Sequence, residues 1–279
     1  MKLPNIVHIR IAVVSAMFIA ALGCGGGSGG DGNGITTQAL SKNACSDLGL
    51  SAINPLILDG TACTGLSQSP VVRVLLQDQG GKTEALCTGT MLTTTKVITA
   101  GHCFVSHPAQ VKIGYGDSSN LQTVLVSRVN IHPHFELKST EIENDVAILT
   151  LVSAAPLPTL PIVLSKVTEA GNIASIFGYG TDASSLLDGA VLRSGQVEIS
   201  SVSESTVNSV YDGNGSNTCQ GDSGGPLLRR AKQKFGIIGL TSTGTRNDCQ
   251  IGDLTTYTNL QSQHILDFIM SVAPETGLL

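Results

Sequence analysis

The chain predicts an all-β fold, a sandwich or a barrel. Three observations carry this. Short apolar runs rich in Val, Ile and Leu recur along most of its length, broken by Gly, Pro, Asn and Ser. Only 13% of the 279 residues are charged while 41% are hydrophobic, a balance that suits a Gly/Ser/Thr-rich extracellular β domain better than a charged helical bundle. Helical spacing is confined to the end, where Ile265, Phe268, Ile269 and Val272 fall at i, i+3, i+4 and i+7.

In chain order, the first 23 residues read as an export signal. Lys2 and Arg10 supply positive charge, and the apolar run 11–22 is too short for the ~20 residues that span a bilayer but suits a signal core. The run ends in Ala21-Leu22-Gly23-Cys24, which resembles a bacterial lipobox and implies lipidation of Cys24. The alternative is ordinary signal cleavage and free secretion. Residues 25–34 (GGGSGGDGNG) form a flexible tether, and residues 24–56 as a whole read as tether plus propeptide-like segment. Strands are then expected at 71–76, 86–92, 97–99, 111–113, 123–131, 146–152, 173–177, 195–199, 226–228, 235–241 and 255–258, each stopped by turn residues.

Seven cysteines are an odd count for an exported chain. Assigning Cys24 to lipid leaves Cys45, Cys63, Cys87, Cys103, Cys219 and Cys249 for three disulfides, which an oxidising compartment permits. A net charge of −5 without basic runs excludes nucleic acid as a partner. His132 and His134 flank Pro133 at a spacing that admits a metal site, but they read as exposed loop residues, and no metal or cofactor is expected.

Residues 219–227 (CQGDSGGPL) set Ser223 among three glycines. A serine hydroxyl becomes a nucleophile only beside a base, and the anion it creates needs backbone N–H donors, which glycines let come close. Alone, the block also reads as a turn between strands. His102 ends an apolar β run next to Cys103, and Asp145 opens the buried strand at 146–152. A satisfied core histidine and a strand-capping aspartate are the plain readings of these two. Together the three residues supply base, orienter and nucleophile.

Thr99-Ala-Gly-His-Cys103, Asn144-Asp-Val-Ala-Ile-Leu149 and the serine block resemble the three catalytic blocks of trypsin-like serine proteases, in the family's order, with the triad separated by 43 and 78 residues. Ile131-His-Pro-His-Phe135 and Gly178-Tyr179-Gly180 are fainter echoes of the same family. The resemblance covers residues 57–279. It implies two six-stranded antiparallel β-barrels packed against each other, a C-terminal α-helix, and hydrolysis of protein or peptide substrates through an acyl-enzyme. Ser223 would be nucleophile, His102 base, Asp145 its orienter, and the Gly221 and Ser223 N–H groups the oxyanion hole. It further implies Cys87–Cys103 and Cys219–Cys249 bridges, leaving Cys45 for Cys63.

By the same resemblance Asn217 lies at the base of the S1 pocket, with Thr241 and Thr255 as its walls. That pocket would prefer small or medium uncharged P1 side chains. Maturation by cleavage before Ile57 would free an amine for Asp222, with the Cys45–Cys63 bridge keeping the pieces joined. Gly239 stands where the family usually has a serine supporting the acid, implying a lost hydrogen bond. Lipidation would place the protein on a bacterial outer membrane or cell surface. The rival class is a non-catalytic, protease-like binding protein. An esterase is a weaker option, because Gly221-Asp-Ser-Gly-Gly225 lacks a βαβ context.

Overall fold

Alternating side chains on strands that are apolar on both faces require two buried sides, and closed barrels stacked on one another provide them. The computed structural model describes residues 39–53, 60–138, 141–181 and 191–279. The expected signal, Cys24, the Gly-rich tether 25–34 and Ile57 lie outside these residues.

The segment ahead of residue 54 carries a 3-10 turn, Cys45–Leu48, and β1 (Ser51–Ala52), which pairs with β2 (Thr61–Thr64). The first barrel contains β3 (Val71–Gln77), β4 (Thr83–Met91), β5 (Lys96–Thr99), β6 (Gln110–Tyr115) and β7 (Gln122–Ile131). A small hairpin, β8 (Glu136–Leu137) with β9 (Ile142–Glu143), then precedes its last strand, β10 (Ala147–Leu151). Pairing of β10 with both β5 and β7 closes it. The second barrel is built from β11 (Ile173–Gly178), β12 (Arg193–Val202), β13 (Thr206–Val210), β14 (Pro226–Ala231), β15 (Lys234–Gly244) and β16 (Leu254–Asn259). It closes where β12 meets β13, and β2 adds to its outside along β12. Helix α1 (Gln263–Val272) follows. All pairings between these strands are antiparallel, and the two six-stranded barrels with one C-terminal helix are the chymotrypsin fold.

Three cores result. One fills the first barrel around Val74, Met91, Val97 and Leu149, and another fills the second around Val197, Val207, Ile238 and Tyr257. The third lies between barrels and helix, joining Ile98, Val146 and Ile148 to Leu228, Leu240, Ile265 and Ile269. On β10 the alternation is complete: Ala147, Leu149 and Leu151 enter the first core, Ile148 the third. The strand β13 is not expected from its residues, because Thr-Val-Asn-Ser-Val is polar enough to read as loop. It is nonetheless the strand that closes the second barrel.

Candidate active site

His102 sits in the 3-10 turn Gly101–Phe104 that follows β5, and Asp145 stands two residues before β10, the neighbour of β5. Ladder pairing therefore brings residues 43 apart together. Asn144, at φ 50, takes the left-handed conformation that Asn tolerates, and its side-chain N–H donates to His134 O at 2.7 Å. Asp145 is completely buried. Its Oδ1 accepts the His102 backbone N–H at 2.8 Å, and its Oδ2 accepts from the His102 ring Nδ1 at 2.7 Å. Burial alone would raise this carboxyl. The hydrogen bonds and charge of His102, with a further bond from Ser242, outweigh burial and hold it below the usual carboxylate range.

That further bond corrects an expectation. No serine is missing from the support of the acid: Ser242 Oγ on β15 donates to Asp145 Oδ2 at 2.5 Å. The serine stands three residues beyond Gly239, a shift that a register irregularity between Thr241 and Thr243 makes hard to place from the sequence. Thr258 Oγ1 on β16 also donates to Asp145 O at 2.9 Å. The second barrel thus braces an acid carried by the first.

Ser223 lies in the loop before β14, and with His102 lines one cleft of 250 Å³. Its loop is anchored by a residue that sequence reasoning passed over. Thr88, buried on β4, donates through Oγ1 to Gly221 O at 2.8 Å and accepts the Tyr179 N–H at 3.0 Å. Its backbone N–H donates to Ser223 O at 2.8 Å. Gly224 explains the glycine requirement: its φ is +78°, and a Cβ there would stand 2.1 Å from Thr99 Oγ1. The Gly221 and Ser223 N–H groups donate to no protein acceptor among the described residues.

Asp222 points the other way. It retains some exposed surface, but its carboxylate is enclosed by Gly178 and Gly180, where a Cβ would fall within 2.7 Å of its atoms. Oδ1 accepts the Gly180 N–H and Oδ2 the Cys219 N–H, both at 2.8 Å. Burial pushes this carboxyl up to about 6 against those bonds and the charge of Arg193. Tyr179, between the two glycines, is buried and bridges to the first barrel through its hydroxyl to Val71 O at 3.3 Å.

Asn217, Thr218 and Thr255 form a hydrogen-bonded group behind the serine loop. Thr255 Oγ1 donates to Asn217 Oδ1 at 2.9 Å and lies 3.2 Å from Thr218 Oγ1. Asn217 Nδ2 donates to Cys249 O and to Asp253 Oδ2, at 3.0 and 2.9 Å. The cleft itself is bordered by Thr218, Thr241, Thr243, Gly244, Asp253 and the Cys219–Cys249 bridge. Cys45–Cys63 and Cys87–Cys103 are also formed. The segment carrying Cys45 is sewn to the same region. The Ser41 N–H donates to the Gln196 side chain and the Ser41 carbonyl accepts the Gln196 N–H, while the Gln196 carbonyl accepts the Ser216 N–H.

His132 is not an exposed loop residue. It is 5% exposed, packs edge-on against Phe268 of α1 at 4.9 Å, and accepts the His134 N–H on Nδ1. The metal-capable group among the described residues is Cys87, His102 and Cys103, and its two sulfurs are joined to each other.

The family model described as Trypsin matches residues 57–269. A protein named Trypsin from Saccharopolyspora erythraea is 35% identical over 182 residues, 58% of this chain and 76% of that one. Trypsin-1 of Salmo salar is 30% identical over 51% of this chain and 65% of its own length. The proclotting enzyme of Tachypleus tridentatus is 33% identical over 60% of this chain and 54% of its own. The chain thus spans less than two thirds of the last two.

Proposed function

The chain belongs to the trypsin family of serine endopeptidases, and on that premise we propose that Ser223, His102 and Asp145 are its catalytic triad. The observation that carries the reading is the His102 ring, held through Nδ1 by a buried ionised carboxylate, in the cleft that also holds Ser223. With Nδ1–H donated to Asp145, Nε2 is the basic nitrogen. Ser223 Oγ attacks the scissile carbonyl as its proton passes to Nε2. The oxyanion is received by the Gly221 and Ser223 N–H groups, and the leaving amine takes the proton from His102. Water then hydrolyses the acyl-enzyme by the same route. Asp145 keeps the tautomer and stabilises the imidazolium.

A serine-directed fluorophosphonate probe tests this. Labelling that disappears in Ser223→Ala is the expected outcome. A processed, folded chain that takes no label would instead be the non-catalytic binding protein.

Asn217 carries no charge and Thr255 fills the space behind it. By themselves these two residues, with Thr241 on the wall, direct the pocket toward small or medium uncharged P1 side chains. Maturation is proposed at Ile57, whose freed amine would pair with Asp222; the enclosure of that carboxyl and its pKa, raised by burial despite the charge of Arg193, support a second cationic partner. N-terminal sequencing of active protein should find Ile57, and activity of an uncut chain would refute the scheme. Residues 57–279 are then the protease domain and 24–56 the tether and propeptide-like segment that Cys45–Cys63 retains.

Three disulfides suit an oxidising compartment outside the cytoplasm. There the protein is anchored to a membrane through lipid on Cys24. Incorporation of a labelled fatty acid, abolished by Cys24→Ser, checks the anchor; a soluble, unlabelled mature chain would refute it.

A further inference from the structure

A buried histidine outside the triad links the loop of the acid to the terminal helix. The ring of His132 lies edge-on to Phe268 of α1, with centroids 4.9 Å apart, and its backbone N–H donates to Val146 O at 3.0 Å. Nδ1 accepts the His134 backbone N–H at 3.2 Å, so that nitrogen carries no proton. The His134 carbonyl accepts from Asn144 Nδ2 at 2.7 Å, and Asn144 holds its left-handed φ of 50° immediately before Asp145. Two hydrogen bonds and a peptide link therefore join the His132 ring to the residue that orients His102. A second arm reaches the histidine loop itself. The Phe135 N–H donates to His132 O at 2.9 Å, and the Phe135 ring lies 3.0 Å from where a Cβ on Gly101 would stand.

The surroundings of His132 oppose a second ring proton. Burial, joined by the charges of His264 on α1 and His134 on its own segment, holds it below the ordinary imidazole range against a hydrogen bond to the His264 backbone. Those two rings stand 6.1 and 5.9 Å away. The acids of the neighbouring elements are turned to other partners: Asp145 to His102 and Ser242, Asp267 of α1 to Gln263, and Glu141 and Glu143 to Lys138. When the ring does take a proton, Nδ1 becomes a donor facing a donor, and the bond from His134 is lost. The displaced His134 peptide then pulls on Asn144, in a conformation few residue types tolerate, and through it on Asp145.

We propose that His132 is a positioning residue for the triad: its neutral ring locks the loop that carries Asp145, and its protonation releases that loop and switches the protease off in acid. The proposal rests on the triad reading given above.

The test uses full-length chain after maturation and one peptide substrate. From about pH 8 down to about pH 5, log kcat/KM should fall with a slope that steepens from one to two, one proton taken by His102 and one by His132. Asp145, held below the usual carboxylate range, keeps its charge throughout. His132→Phe keeps a ring against Phe268 and removes the acceptor, so kcat at about pH 8 should fall roughly fivefold or more with KM unchanged. His132→Asn, whose Oδ1 accepts but does not titrate, should recover most of that loss and hold a slope of one. A native slope of one throughout overturns the proposal, as does an Asn variant that steepens like the native enzyme or a Phe variant with native kcat. Should the variants not fold, NMR of the native protein decides the same question. The Asn144 side-chain amide should shift with the titration of the His132 ring, and an amide indifferent to it overturns the coupling. Fluorophosphonate labelling separates the two readings. Labelled protein whose slope stays at one sinks the role of His132 alone, whereas unlabelled protein in which Asn144 still follows His132 sinks the triad and keeps the coupling.

Discussion

Replacing Thr88 by valine should damage stability and catalysis together, although Thr88 touches neither substrate nor triad side chains. The swap keeps the side-chain shape and removes one hydroxyl. That hydroxyl donates to Gly221 O and accepts the Tyr179 N–H, at 2.8 and 3.0 Å, in a fully buried position. Leaving each backbone group unsatisfied costs about 1–3 kcal/mol, so roughly 2–6 kcal/mol together. For a domain of this size about 2–4 °C accompany each kcal/mol, which sets the smallest expected fall in Tm near 4 °C. The Gly221 peptide would also be free to rotate. Since one oxyanion donor is worth about 2.7–4 kcal/mol, kcat should fall by up to ~10³-fold. Thr88→Ser keeps the hydroxyl and should recover most of both losses. Calorimetry and active-site-titrated kinetics on the pair decide the matter. A valine variant within about 1 °C of the native Tm and equal in kcat, or a serine variant as impaired as valine, would refute the reasoning.

Asp145→Asn should lower kcat by about 10⁴-fold with little change in fold, because the amide imposes the wrong tautomer on His102; a loss under tenfold would count against the triad. Asp222 predicts an unusual pH trend. Its carboxyl is raised from 3.8 to about 6, so the protonated form contributes stability below 3.8 that is lost as pH rises through about 6. Uncut chain should therefore gain about 2 kcal/mol in denaturant unfolding between pH 7 and pH 4, Asp222→Asn should flatten the gain, and a native chain without it would refute the raised carboxyl. Asp145 acts oppositely: its depressed carboxyl contributes stability above the ordinary aspartate range that is lost only as pH falls through its lower folded value.

Much of this protein is legible before folding. Strand runs at 71–76, 97–99 and 146–152 map onto β3, β5 and β10, and the terminal spacing onto α1, because apolar patterning and turn residues act locally. The strand β13 is hidden, since a polar stretch becomes a strand only when its neighbours β12 and β16 offer ladders on both sides. The serine beside Asp145 is misplaced for a similar reason: a shift of register in β15 moves the side chain that faces the acid. Asn217 reads as an uncharged pocket base, and its own identity offers nothing else.

By itself, then, the sequence determined what can be carried by residue type and spacing: an all-β chain, a serine among glycines, a histidine and an aspartate at strand ends, and six cysteines that pair. Only the tertiary structure decided which groups share an environment. It set Thr88 beneath the serine loop, Ser242 against Asp145, and the Asp253 carboxylate 2.9 Å from the Asn217 amide, 36 residues away in the chain. Hydrogen bonds and charge depend on distances of a few ångströms across strands, and those distances follow from barrel closure, which no local stretch encodes alone.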